Sequence, residues 1–300
     1  MEMASRPSFA TVAELLKPIT WFPPMWALAC GVVASGQSFS EHALLIFAGL
    51  VLSGPLVCAS SQAVNDWFDR HVDAINEPNR PIPSGRMPGQ WGLRIAVIWT
   101  ALSLLWALSL GTWGFLACGL GLLLAWAYSA PPFRFKSNGW LGNTACALSY
   151  EGLAWVTGSA LMLGGALPDE RSLWLALLYS AGAHGIMTLN DFKAVQGDRQ
   201  MGVRSLPVQL GVERAAQVAC AFMLLAQWCV VLLLTYWGAP DHALVVLLLS
   251  AAQLPLMTKF VQQPVEKALS VSAFGVPMFV AGMMVSAWAV RSLSLAQGGG

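Results

Sequence analysis

Charged side chains are scarce in this sequence. Asp, Glu, Lys and Arg account for 10% of its 300 residues, whereas hydrophobic residues account for 56%. Soluble domains average about 25% charged residues, so the composition excludes an ordinary soluble domain. We expect an integral membrane protein whose main partner is the lipid bilayer, and we expect no nucleic-acid partner.

Cysteine is present without the spacings of a metal or redox site. The six cysteines form no CxxC pair and no Cys/His ligand pattern, and all of them fall in apolar stretches. We therefore expect small core residues and no disulfides or zinc. Met1–Pro18 also lacks the apolar core of a cleavable signal peptide.

Apolar stretches occupy most of the chain. A helix needs roughly 20 mostly apolar residues to cross a bilayer, and we count nine such stretches, centred near residues 27, 53, 101, 121, 152, 181, 223, 249 and 281. We predict an all-α integral membrane protein with nine transmembrane helices in a single domain, residues 1–300. Residues 1–18 are expected to be a cytoplasmic segment, 19–291 the transmembrane bundle and 292–300 a disordered tail.

The basic residues predict the orientation. With the N-terminus in the cytoplasm, fourteen of the sixteen Lys and Arg residues fall on the cytoplasmic side, and only Arg171 and Arg291 fall opposite. This asymmetry is typical of the positive-inside rule and places the C-terminus outside. The ninth helix has the least support, because an even number of helices would bring Arg291 inside.

Two acidic motifs resemble each other. NDW at residues 65–67 ends the second apolar stretch, and NDF at residues 190–192 ends the sixth, 125 residues later. Seven positions after each aspartate stands another one, Asp73 and Asp198. Since both motifs lie at cytoplasmic helix ends, this weak internal repeat predicts one shared site.

The aspartates predict a magnesium site. Asp66, Asp69 and Asp73 share one face of a helix, with Asn65 beside Asp69. Carboxylates without His or Cys partners suit a hard cation such as Mg²⁺; the alternative is a solvated acidic helix end. The candidate metal ligands are Asn65, Asp66, Asp69, Asp73, Asn190, Asp191 and Asp198, and the five aspartates among them are also candidate catalytic residues.

Charge balance indicates what a diphosphate would need in order to bind at this site. Two Mg²⁺ ions would offset most of the charge of the five aspartates, so a diphosphate bridging the metals needs basic side chains as well. Arg contacts phosphate oxygens in bidentate pairs. The candidates in the cytoplasmic loops are Arg80, Arg134, Lys193 and Arg199, although each of them also fits the positive-inside pattern.

The pattern NDxxDxxxD, together with the second aspartate pair, resembles the UbiA superfamily of intramembrane prenyltransferases. The resemblance covers essentially the whole chain. It implies nine helices around a central cavity, a prenyl diphosphate bound by Mg²⁺ at the cytoplasmic mouth, and prenyl transfer to a lipophilic acceptor. One departure is the sequence FKAVQG between Asp191 and Asp198, where many relatives carry a further acid, so a leaner second metal site is expected.

Four stretches look like the branch of that superfamily that esterifies tetrapyrroles, the chlorophyll and bacteriochlorophyll synthases. They are KPITWFPPMWA, NDWFDRHVDAINEPNRPIPSGR, WAYSAPPFRFK and GIMTLNDFKAVQGDRQMGVRSLPV. Arg70-His71-Val72 and Arg86 are more similar to the bacteriochlorophyll enzymes of purple phototrophs. The resemblance implies a bacterial inner membrane, a bacteriochlorophyllide acceptor and a geranylgeranyl or phytyl diphosphate donor. Chlorophyllide stays open as the acceptor, as do protein partners in pigment biosynthesis or assembly.

Several residues inside the apolar stretches are candidates for the cavity. Glu151, next to Tyr150, is expected to line it and to be catalytic, the alternative being a structural hydrogen bond. His184 is a candidate ligand of the macrocycle magnesium, or an ordinary hydrogen-bonded histidine. Trp21, Trp26 and Trp155 complete the predicted tetrapyrrole pocket.

A transporter is the rival class, because matched repeats and broken helices also occur there. Transporters carry polar groups near the bilayer midplane, whereas the acids here gather at one face. The sequence therefore favours an enzyme.

Overall fold

The computed structural model describes residues 6–298, and within that range it is a helical bundle without β-strands. Helix α1 (Phe9–Leu16) begins at Ser8, whose side chain accepts a hydrogen bond from the backbone N–H of Thr11. It ends at Lys17, which has a left-handed backbone with φ of 48°. A short 3₁₀ turn, Pro18–Thr20, then leads into α2 (Phe22–Ala34).

The other helices follow in chain order, most of them joined by short loops. They are α3 (Ala43–Val51), α4 (Ala59–Asn76), α5 (Trp91–Leu108), α6 (Gly111–Ser129), α7 (Gly139–Ala147), α8 (Ala154–Met162), α9 (Glu170–Leu189), α10 (Val195–Gln200), α11 (Leu206–Leu210), α12 (Val212–Tyr236), α13 (Pro240–Gln262), α14 (Pro264–Ser270) and α15 (Val276–Gly298).

Three π-helical segments join consecutive helices into longer ones. Leu52–Cys58 joins α3 to α4, Leu148–Leu153 joins α7 to α8, and Val271–Gly275 joins α14 to α15. Pro55 lies inside the first of them, where its missing N–H removes one helical hydrogen bond. Such π-bulges change which side chains face a given neighbour and are frequent at functional sites.

The all-helical membrane fold predicted from the sequence is confirmed. Seven helices in the described range are long and apolar enough to cross a membrane. Helix α2 is apolar but only 13 residues long, and the α7–α8 unit lies where the fifth span was expected. The number of nine crossings stays a prediction. The last helix continues past residue 291 to Gly298, so the described part of the expected tail is helical, and residues 299–300 lie outside the described range.

Glycines allow close contacts between the helices around the site. A Cβ on Gly158 of α8 would lie 2.1 Å from the carbonyl oxygen of Leu28 in α2. A Cβ on Gly185 of α9 would lie 2.3 Å from the carbonyl oxygen of Ala219 in α12. Membrane helices commonly associate through such small residues, and here they fix α2, α8, α9 and α12 relative to one another.

Two loops at the same end of the bundle are joined by backbone hydrogen bonds. The N–H of Gly139 donates to the carbonyl of Arg204 at 2.8 Å, and the N–H of Arg204 donates to that of Ser137 at 2.9 Å. The loop before α7 is thereby tied to the loop that follows the second acidic motif.

Candidate active site

The first acidic motif lies on the C-terminal half of α4, where two of its three carboxylates are buried and all three are paired with bases. Asp66 and Asp73 are 2% and 7% exposed. Lys17 Nζ lies 2.6 Å from Asp66 Oδ1. Arg80 contacts both acids, at 2.8 Å from Asp73 Oδ2 and 3.4 Å from Asp66 Oδ1. The predicted place of Arg80 beside the aspartates is therefore observed.

The third aspartate of this motif, Asp69, is held from the loop that follows α6. Lys136 Nζ lies 2.5 Å from its Oδ2, and Arg134 lies 3.4 Å from its Oδ1. Asn65, one turn earlier on α4, donates to Asp69 Oδ2 at 3.2 Å. The structure thus brings Arg134 and Asn65 to the acids as the sequence predicted.

Sequence reasoning missed two of these bases, Lys17 and Lys136. Both stood in stretches that carried the resemblance, KPITWFPPMWA and WAYSAPPFRFK. Neither has a spacing that links it to an acid, because the loop folds that bring them to α4 are not periodic. Their ion pairs with Asp66 and Asp69 in the structure identify Lys17 and Lys136 as part of the site.

Burial affects the basic groups in opposite ways. It lowers the pKa of Lys136, against the opposing influence of Asp69. Burial also acts to lower the pKa of Arg80, but the neighbouring acids, led by Asp66, outweigh it, and the pKa of Arg80 is raised. Arg80 consequently remains a guanidinium cation at any pH at which the protein is folded.

The second acidic motif is held by hydrogen bonds and not by bases. Asn143 Nδ2 on α7 donates to Asp191 Oδ2 at 3.3 Å. The hydroxyl of Ser205 donates to Asp198 Oδ2 at 2.7 Å. Burial raises the pKa of Asp198, partly opposed by that hydrogen bond. A nearby cation would stabilise the charged form of either carboxylate.

The two motifs converge at one end of the bundle. A Cβ on Gly197, beside Asp198, would lie 3.5 Å from the side-chain nitrogen of Asn76 at the end of α4. Tyr128 on α6 lies near both Asp69 and Asp191. These contacts support the shared site that the internal repeat predicted, and they add Tyr128, which the sequence did not single out.

Three predicted site residues lie further out. Asn190, Lys193 and Arg199 are exposed. Within residues 6–298, none of the three forms an ion pair or a side-chain hydrogen bond with the five aspartates. Their roles toward metal or diphosphate stay predictions.

The donor set fits Mg²⁺ in its chemistry. Only oxygen ligands are present, and Asp66 Oδ2 is buried without a hydrogen-bond partner in the described part of the chain. No ready-made group of three or more His, Cys, Asp or Glu ligands occurs among residues 6–298. Mg²⁺ usually keeps waters and binds through one or two carboxylates plus substrate phosphates, so a dedicated protein cage is not required.

An apolar cavity of about 270 Å³ lies beside the first motif. Asn65 belongs both to the motif and to the cavity wall, and Tyr150 lines the cavity as predicted. The Tyr150 hydroxyl accepts a hydrogen bond from Gln62 at 3.2 Å and lies 3.4 Å from Ser61 Oγ. Most of the remaining wall is apolar, including Pro24, Leu28, Leu52, Val57, Ala117, Cys118, Gly121, Leu124, Ala125, Leu153 and Ala154.

The three predicted pocket tryptophans do not line this cavity. Their indole N–H groups instead donate to other helices or turns: Trp21 to the Leu16 carbonyl, Trp26 to the Val280 carbonyl and Trp155 to Ser172 Oγ. Trp155 is fully buried and stacks on Tyr179. These indole N–H groups are used in helix packing, and a role of the three residues in a tetrapyrrole pocket stays a prediction.

His184 and Glu151 also lie outside the cavity wall. His184 is 4% exposed and packs against the rings of Trp140 and Phe222, with Nδ1 3.1 Å from Thr144 Oγ1. Glu151 is 4% exposed and lies in the π-helical segment Leu148–Leu153, which packs against α2. The cavity-lining role expected for Glu151 is thus not observed.

The fold and site define a polytopic membrane protein with a charged, metal-compatible mouth on an apolar cavity. Such a site suits a substrate with an anionic head and a lipophilic tail. The sequence model of the UbiA prenyltransferase family matches residues 21–292. The chain belongs to that family.

Relatives and solved structures agree with this assignment. The chain is 53% identical to the bacteriochlorophyll synthase 33 kDa chain of Cereibacter sphaeroides, over 97% of this chain and 96% of that one. It is 40% identical to the chloroplastic chlorophyll synthase of Oryza sativa, over 92% and 75%. A structure of a UbiA homolog from Archaeoglobus fulgidus bound to GPP and Mg²⁺ shares the fold, with a TM-score of 0.67, 22% identity and coverage of 94% and 99%.

Proposed function

We propose that this chain esterifies the propionate of bacteriochlorophyllide with a geranylgeranyl or phytyl group taken from the prenyl diphosphate. The observation that carries the proposal is the junction of the first acidic motif with an apolar cavity, at Asn65. Identity supports the acceptor, since it is 53% to a bacteriochlorophyll synthase and 40% to a chlorophyll synthase.

The aspartates are proposed to hold Mg²⁺, with two ions as the expected number. Asp66, Asp69 and Asp73 would bind it from α4, and Asp191 and Asp198 from the opposite side of the site. When bound, Mg²⁺ stabilises the negative charge that develops on a diphosphate leaving group. The magnesium inside the macrocycle is part of the substrate and is a separate ion.

The bases are proposed to exchange partners when the donor binds. Lys17, Arg80, Arg134 and Lys136 are now paired with the carboxylates that would take the metal. With Mg²⁺ held by those carboxylates, the same cations would be free to contact the phosphate oxygens. Bidentate contacts from Arg80 and Arg134 suit a diphosphate particularly well.

The cavity is proposed to hold the prenyl tail and to exclude water. An allylic carbon that ionises becomes a strong electrophile, and water in the cavity would capture it. The mainly apolar wall disfavours such water, and Tyr150 with Gln62 is a polar exception. The attacking propionate is already deprotonated at neutral pH, so this chain needs no general base for the transfer.

We place the active site at the cytoplasmic face of a bacterial inner membrane, with the N-terminus in the cytoplasm. The positive-inside distribution supports this orientation. Protein partners in pigment biosynthesis or assembly stay an open expectation.

A parallel assay tests the proposed function. Detergent-purified protein receives bacteriochlorophyllide or chlorophyllide, each with geranylgeranyl or phytyl diphosphate and Mg²⁺, and the esters are identified by mass spectrometry. We expect the bacteriochlorophyllide ester as the main product and none after chelation of Mg²⁺. Preferential esterification of chlorophyllide would refute the acceptor, and absence of donor consumption in every arm would refute a prenyltransferase.

A further inference from the structure

Asn143 on α7 is a buried amide that joins the second acidic motif to the rest of the bundle. It is 6% exposed. Its side-chain nitrogen donates to Thr188 Oγ1 at 3.2 Å and to Asp191 Oδ2 at 3.3 Å. Asp191 forms no ion pair within the described residues. Its carboxylate is oriented by this hydrogen bond and by one from the backbone of Leu206, so Asn143 is the side chain that holds it.

The direction of the hydrogen bonds follows from Thr188. Its hydroxyl donates to the His184 carbonyl at 2.9 Å, which leaves the hydroxyl oxygen only as an acceptor toward Asn143. The NH₂ group of Asn143 must therefore face Thr188, and its second hydrogen is directed to Asp191 Oδ2. Thr188 thus fixes which end of the amide the carboxylate meets.

We propose that Asn143 is a positioning residue, which holds Asp191 Oδ2 so that the rest of the carboxylate is presented to Mg²⁺. The inference rests on the proposed function, because it acts through Asp191 as a metal ligand. A donated hydrogen bond also favours the charged form of that carboxylate. Partners of this kind typically contribute about 10–100-fold to metal affinity.

The link has a second consequence along α7. Ala145 and Cys146, two and three residues after Asn143, line the apolar cavity. The helix that orients Asp191 is therefore the same helix that forms part of the wall for the prenyl tail. A shift of α7 at the cavity wall would therefore also move Asn143 and the Asp191 carboxylate that it orients.

The test measures Mn²⁺ binding to the full detergent-purified chain by electron paramagnetic resonance of free Mn²⁺, with an unreactive geranylgeranyl thiolodiphosphate present. We expect Asn143→Ala to weaken Mn²⁺ affinity about tenfold and Thr188→Val to weaken it about threefold, since Asn143 is then less well oriented. The matched control is Thr144→Val, the neighbouring α7 residue, which contacts His184 and not Asp191. It is expected to leave the affinity unchanged.

Kinetics separate positioning from general damage. A positioning defect raises the Mg²⁺ concentration needed for half-maximal activity, and kcat recovers at saturating Mg²⁺. A merely structural defect lowers kcat at every Mg²⁺ concentration and lowers the metal-free melting temperature.

Asp191→Asn distinguishes the possible failures. Unchanged Mn²⁺ affinity in Asn143→Ala, together with weakened affinity in Asp191→Asn, overturns the inference and leaves the proposed function intact. Unchanged affinity in Asp191→Asn overturns the metal role of Asp191, and the inference with it. If Asn143→Ala does not fold, unchanged affinity in Thr188→Val overturns the inference.

Discussion

Replacing Arg80 with alanine should have opposite effects on metal binding and on catalysis. Arg80 pairs with Asp66 and Asp73, which are 2% and 7% exposed. Breaking a buried ion pair costs about 3–5 kcal/mol, and the 27% exposure of the Arg80 side chain favours the lower end. We expect Arg80→Ala to lose about 3 kcal/mol of stability without metal, by the same principle.

The same substitution removes a cation that competes with the metal for both carboxylates. A tenfold change in affinity corresponds to about 1.4 kcal/mol. This is less than half of the free energy of unfolding that the ion pairs of Arg80 are expected to contribute. We therefore expect Mg²⁺ to bind Arg80→Ala at least about tenfold more tightly in the absence of donor. Catalysis should fall, because a lost contact to the leaving group typically costs about 10²–10³ in rate.

The assay is thermal unfolding across a Mg²⁺ titration, followed by kcat/KM for the prenyl diphosphate at saturating Mg²⁺. Arg86→Ala is the matched control, since Arg86 lies in the same loop but pairs with the exposed Glu14. Arg86→Ala should change neither the Mg²⁺ affinity nor kcat/KM. Weaker Mg²⁺ binding by donor-free Arg80→Ala would refute the idea that Arg80 and the metal compete for these carboxylates.

Three further substitutions test the cavity and its walls. Gly121 lies on the cavity wall, where a Cβ would meet only Val57 and Leu153, at 3.5–3.6 Å. Gly121→Leu should therefore shift the preference of the enzyme toward shorter prenyl diphosphates in a competition assay. An unchanged preference would mean that the prenyl tail binds elsewhere. Gly158→Ala puts a methyl group 2.1 Å from the Leu28 carbonyl, so we expect a lower melting temperature, and wild-type stability would contradict the close α2–α8 contact. Glu151→Gln should retain Mg²⁺-dependent activity within about tenfold, because Glu151 faces α2 and its loss removes no transition-state contact; a much larger loss would restore a catalytic role for Glu151.

The acidic part of the site could be predicted from the sequence because its order is local. Asp66, Asp69 and Asp73 follow helical spacing, and α4 places them together with Asn65 as that spacing requires. The bases Lys17 and Lys136 reach the site from non-periodic turns, such as the left-handed residue that ends α1. No pattern in the sequence specifies such turns.

The cavity wall was harder to predict, because π-helical segments shift the helical phase. Tyr150 and Glu151 are neighbours in the segment Leu148–Leu153, yet Tyr150 lines the cavity and Glu151 does not. Regular 3.6-residue periodicity cannot decide between two adjacent residues when an extra residue is inserted into the turn. Trp155 is fully buried, because its backbone packs closely on Gly31 of α2 while its indole donates to Ser172 and stacks on Tyr179 of α9.

The pairing of acids with bases also explains why a charged site is stable at the end of an apolar bundle. Asp66, Asp69, Asp73 and Glu77 bring four negative charges, which Lys17, Arg80, Arg134 and Lys136 offset. Buried charges without partners are costly, so this neutral arrangement stabilises the metal-free protein. Under the proposed function, Mg²⁺ held by these carboxylates would replace the bases as their counter-charge, and the freed bases would need an anion. A diphosphate would supply that anion, so binding of the metal and binding of the donor would stabilise each other through charges that this chain already holds in place.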